Sequence, residues 1–84
     1  MQEEYIGRTV KNLPVLRVAV GLTQEQLGAK LGVSRQTVVA IENGKSPLTW
    51  SMYLAMLYVF QQYEEAIPLL TSLNLINSEF IKKI

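Results

Sequence analysis

Apolar positions recur along this chain three and four residues apart, and glycine, threonine, serine and proline interrupt them at places that start or stop helices. Leu27 and Leu31 stand one turn apart, Val38 and Ile41 three residues apart. This periodicity predicts helices throughout, with no hairpin signal, Gly/Ser linker or internal repeat. Pro14 suits the opening turn of a helix reaching about Val20, with Asn12 as its cap and Gly21 as its end. Residues 1–12 are then expected as an arm or a short separate helix. Thr23 is placed to cap "QEQLGAKL", and Gln26 completes a Thr-x-x-Gln capping box. Gly32 closes that helix, since a terminal glycine accepts the positive φ that other residues resist. Ser34 caps the next helix, and Asn43-Gly44 stops it. After the loop "GKSPL", Thr49 is the expected cap of "WSMYLAMLYVFQQ". Pro68 allows either a new start near Ile67 or a kink, and "LLTSLNLINSEFIKKI" reads equally as helix or extended chain.

The two helices between Thr23 and Asn43, joined only by Gly32-Val33-Ser34, have the spacing of a helix-turn-helix. So short a turn forces a steep crossing. Small Gly28 permits close approach at the crossing point, and Leu27, Leu31, Val33, Val38 and Ile41 form the wedge between the helices. The second helix opens on a polar trio, Arg35-Gln36-Thr37, and then turns aliphatic. That division suggests that its front meets something polar while its rear anchors it.

Composition narrows the chemistry. The 84 residues make one small domain, nearly half of it hydrophobic, with no cysteine and no histidine. Disulfides and thiolate zinc sites are excluded, and the commonest general base and metal ligand is missing. Without paired carboxylates at a useful spacing or a phosphate-cradling glycine loop, nothing carries catalysis, so neither an enzyme nor a cofactor is expected. No apolar run approaches the roughly 18 residues of a membrane span, and Glu3-Glu4 argues against a signal peptide; a cytoplasmic protein is expected. The net charge of +1 is unevenly spread. Residues 8–45 carry Arg8, Lys11, Arg17, Lys30, Arg35 and Lys45 against Glu25 and Glu42, a net of +4, while residues 1–7 carry −2 and residues 46–84 carry −1. Such a concentration suits a polyanionic partner.

The string "LTQEQLGAKLGVSRQTVVAIENGKSP", within roughly residues 13–62, resembles the signature of the Cro/cI-like (Xre) family of helix-turn-helix DNA-binding domains. The resemblance implies an all-α, lambda-repressor-like bundle of four or five helices, its third helix lying in the major groove of double-stranded DNA. It marks Ser34, Arg35, Gln36, Thr37 and Ala40 as the groove-facing set. Arg35 can bond bidentately to guanine and Gln36 to adenine, each good pair discriminating by roughly 1–3 kcal/mol, and Val39 or Ala40 can touch a thymine methyl. Gln24, at the start of the second helix, is implied to contact phosphate, with Asn43, Lys45, Ser46 and Thr49 on the opposite flank. Arg17 and Glu42 are implied as a structural ion pair joining the first helix to the third.

The chain departs from the family in its apolarity. "VAV" follows the first-helix Leu-Arg, which would expose Val18 and Val20 in a minimal domain. Residues 63–84 are expected as an apolar extension in which Leu69, Leu70, Leu73, Leu75, Ile76 and Phe80 form a homodimer interface. The competing possibility is that this extension folds back on Val18 and Val20. The leading function is thus a sequence-specific DNA-binding regulator, a repressor acting as a homodimer. The alternatives are an antitoxin, whose apolar tail docks a toxin, and a helical interaction module that no longer binds DNA.

Overall fold

The structure, a computed structural model, describes residues 2–75. It contains five helices and, among the described residues, no strand: α1 (Gln2–Ala19), α2 (Gln24–Leu31), α3 (Arg35–Glu42), α4 (Trp50–Gln61) and α5 (Ala66–Ser72). The all-α expectation holds. α2 and α3 share the most extensive helix contact, and α1 and α4 close over them.

The residues that end the helices are those the sequence marks. Thr23 accepts a bond from the Gln26 amide at 3.0 Å while the Gln26 side chain accepts from the Thr23 amide at 2.9 Å, so the capping box is complete. Ser34 and Thr49 cap α3 and α4 through bonds from the Thr37 and Met52 amides. Gly32 takes φ +77°, which lets the Val33 amide reach back to the Gly28 carbonyl at 2.9 Å and turns the chain within three residues.

α1 differs from expectation. It runs unbroken from Gln2 through Pro14 to Ala19, so residues 2–12 are its first half and not a separate arm. Asn12 is no cap; its side chain donates to the Arg8 carbonyl one turn back, at 2.8 Å. Burial explains the continuity. Thr9 lies buried on one side of Pro14's level and Leu16 on the other, with Leu13 between them, while Tyr5, Ile6 and Val10 pack against the same core. Pro14 forgoes one bond, to the Val10 carbonyl, and an apolar stripe spanning four turns outweighs that loss.

The core gathers Leu13, Leu16, Leu27, Val38, Ile41, Tyr53, Met56 and Phe60 from the first four helices and Ala66, Leu70 and Leu75 from the last segment. Residues 63–75 therefore complete the same core and are not an appended extension. The loop after α3 is pinned by buried Leu48. Arg8 donates to the Asn74 carbonyl at 2.6 Å, and the Tyr53 hydroxyl donates to the Leu75 carbonyl, so the end of this segment is tied to both α1 and α4. Tyr53 stacks on Trp50 at 4.7 Å between ring centroids.

Two expectations about the apolar surface change as a result. Leu70 and Leu75 are buried inside the chain, not held out for a second copy. Leu69 and Leu73 are half-buried against the core, whereas Ile76 and Phe80 lie outside the described residues. Val18 is indeed exposed, at 68%, but Val20 packs against the core.

Candidate nucleic-acid interface

α3 has a buried rear and a polar front. Val38 and Ile41 are fully inside, one helical turn apart on the face toward the core. Ser34, Arg35 and Gln36 stand exposed at its amino end, and Thr37, Val39 and Ala40 are half-buried beside them. Among the described residues no carboxylate pairs with Arg35, whose side chain borders an open cleft it shares with Arg17, Val18, Gly21, Leu22, Thr23, Gln24 and Glu25. The Ser34 and Thr37 hydroxyls are 3.0 Å apart, so both are partly engaged by the cap and by each other.

Gly28 sets the distance between α2 and α3. A β-carbon there would stand 2.8 Å from the Val33 carbonyl oxygen and 3.2 Å from that of Ser34, both main-chain atoms. Only glycine lets α2 approach the turn this closely. The turn in turn delivers the amino end of α3 to the surface.

At the other end of α3, the Glu42 carboxylate binds two elements at once. Arg17 Nε donates to Oε2 at 2.8 Å and Nη2 to Oε1 at 3.3 Å, a bidentate pair whose side chains are 15% and 6% exposed. Arg17 Nη1 also donates to the Leu22 carbonyl at 3.1 Å, tying in the α1–α2 turn. The ion pair expected between Arg17 and Glu42 is therefore present. Sequence reasoning missed the second partner: Gln24 Nε2 donates to Glu42 Oε1 at 3.0 Å. Since a carboxylate only accepts, the amide nitrogen must be the Gln24 atom that faces it. Gln24 thus directs one amide N–H inward, a structural contact that the phosphate role expected of it did not include.

On the opposite flank, Gly44 at φ +73° ends α3 and allows the Lys45 and Ser46 amides to donate to the Ala40 carbonyl, at 2.8 and 3.1 Å. Asn43, Lys45 and Thr49 are exposed around this loop and Ser46 is half-buried. The Lys30 ammonium sits 5.9 Å from the centre of the Tyr63 ring, a contact that no spacing in the sequence reveals.

Two short helices with a glycine turn, a backbone-to-backbone crossing and a solvent-facing polar front on the second satisfy the geometry anticipated between Thr23 and Asn43. Residues 16–52 match the family described as "Helix-turn-helix". This segment is similar to that helix-turn-helix family. Two curated relatives match part of the chain. An uncharacterized HTH-type transcriptional regulator of Methanocaldococcus jannaschii is 61% identical over 33 residues, 39% of this chain and 50% of that protein. A second, of Methanothermobacter thermautotrophicus, is 52% identical over 29 residues, 34% of this chain and 42% of its own length. The matches thus span half or less of these relatives. No solved structure matches the chain. The family match covers the helix-turn-helix, while α1 up to Val15, α4 beyond Met52 and all of α5 lie outside it.

Among the described residues there is no cluster of acidic groups fit to hold a metal ion. No described helix is long and apolar enough to cross a membrane.

Proposed function

We propose that this chain is a transcriptional regulator that binds double-stranded DNA in the major groove through the amino end of α3, acting as a repressor and as a homodimer. The observation that carries the reading is the division of α3 between a fully buried rear, Val38 and Ile41, and an exposed front with the unpaired cation Arg35. Arg35 and Gln36 are the base readers, with Ser34, Thr37, Val39 and Ala40 supporting them. Lys45, with Asn43, Ser46 and Thr49, holds the phosphates on the flank after α3. The printed names of the two relatives, both HTH-type transcriptional regulators, support the same assignment.

Selection of binding sites from random duplex DNA tests it. A preferred sequence should emerge, and Arg35→Ala should relax preference at one base position per half-site, at roughly 1–3 kcal/mol. Lys45→Ala should instead weaken all sequences alike and lower the salt slope by about 1. Failure to retain any duplex at low salt would overturn the reading.

The homodimer rests on surface that the fold leaves apolar: Val15, Val18, Tyr58 and Ile67 are exposed, and Leu69 and Leu73 are half-buried. A symmetric pair would set two reading helices about 34 Å apart, one turn of DNA. Sedimentation at micromolar concentration should give twice the chain mass, and a clean monomer with and without duplex would sink this part.

A further inference from the structure

We propose that Gln24 is a positioning residue for α3, acting through Glu42. The inference rests on the reading of α3 as the DNA-contacting helix and names a residue that sets its angle. Besides sharing the apolar core through Leu27, Val38 and Ile41, α3 meets α2 through directional contacts at two places. Near its amino end, the turn residues Val33 and Ser34 lie against Gly28, main chain against main chain. At its carboxyl end, Glu42 accepts from Gln24 at 3.0 Å. Seven residues separate Arg35 from Glu42, about 10 Å along a helix. Apolar packing resists separation more than small rotations, so two directional contacts that far apart add a constraint on the tilt of the rod between them.

Gln24 is well placed for that task. It follows the capped residue Thr23, whose reciprocal bonds with Gln26 hold the backbone rigid. Its acceptor, Glu42, is almost wholly removed from water, so each donor it loses goes unreplaced. Arg17 supplies two of the three donors, but it does so from α1, while its remaining nitrogen holds the Leu22 carbonyl of the α1–α2 turn. Only Gln24 joins α2 to α3 through this carboxylate.

The full chain and three proteins decide the matter: wild type, Gln24→Ala and Gln24→Glu. Binding is measured across a salt series to the duplex that wild type selects and to a scrambled duplex of equal length. Positioning predicts that Gln24→Ala narrows the ratio of the two affinities about fivefold or more while the salt slope stays that of wild type. Equal weakening on both duplexes with a slope lowered by about 1 is the signature of a direct phosphate contact and overturns the proposal. So does an unchanged ratio.

Gln24→Glu provides a readout independent of DNA. It sets a second carboxylate against Glu42, with Arg17 as the adjacent cation and Glu25 and Arg35 bordering the same cleft. Two carboxylates sharing a site hold one proton above the usual carboxylate range. A raised value in the folded chain means that stability is kept in acid and lost as pH rises. The melting temperature of this variant, relative to wild type, should therefore fall between about pH 4 and pH 7; a constant difference would overturn the contact. If wild type discriminates between no duplexes, the DNA reading fails and the proposal with it, yet the pH series still separates that failure from absence of the Gln24–Glu42 bond.

Discussion

Gly28 shows how a single residue type fixes the geometry of α3. In an ordinary helix interior, glycine is the poorer choice, and alanine would gain up to about 1 kcal/mol. Here the added methyl would press on two main-chain oxygens that have no rotamer to yield. Overpacking of that kind costs roughly 1–3 kcal/mol, so the clash exceeds the propensity gain. Gly28→Ala is expected to lower the urea midpoint of unfolding; a rise would mean that α2 and α3 separate easily. The sequence made this residue legible because a glycine inside a predicted helix asks for a packing reason. Gln24 is the contrary case. Its position at the head of α2 is plain from the sequence, but the direction of its side chain depends on Glu42, eighteen residues on, and no local pattern encodes that.

Helix ends were the most legible elements, because each carries its own chemistry. Thr23, Ser34 and Thr49 are short oxygen-bearing side chains before apolar runs, and each bonds the amide three residues on. The start of α1 was not legible. Pro14 outweighs its neighbours in any local reading, whereas in the fold the stripe through Thr9, Leu13 and Leu16 governs, a tertiary effect that appears only when α4 and α5 are in place to cover it. What ties the elements together is the Glu42 carboxylate, which receives donors from α1 and α2 at the end of α3. Glu42→Ala would leave the Arg17 guanidinium, 15% exposed, without its counter-charge, an expected loss of roughly 3–5 kcal/mol by denaturant titration. Replacing both partners by apolar residues should recover much of that, since the penalty lies in the stranded charge. Equal losses from the single and double replacements would contradict this account.

Across the whole molecule, the last described segment closes the core, and Tyr53 records that closure. Burial, with Tyr5 adding to it and Arg8 opposing, pushes the Tyr53 phenol up to about 12 from its usual value near 10. The unfolded chain thus ionises this group first, so its contribution is complete below about pH 10 and fades as pH rises toward 12. The fade should reach on the order of 2–3 kcal/mol by pH 12. Comparing wild type with Tyr53→Phe isolates it: the two stability curves should converge in that window, and parallel curves would refute the assignment. Neither the burial of Leu70 and Leu75 nor this tie was readable from an apolar tail, because hydrophobicity states that a residue will be covered and not by what. One consequence reaches beyond a single molecule. On α3 the side chains that hold the scaffold, Val38 and Ile41, are distinct from the exposed ones, Arg35 and Gln36. Under the proposed function, a duplicated gene can therefore drift toward a different target by exchanging the outward pair alone, its descendants keeping the same architecture.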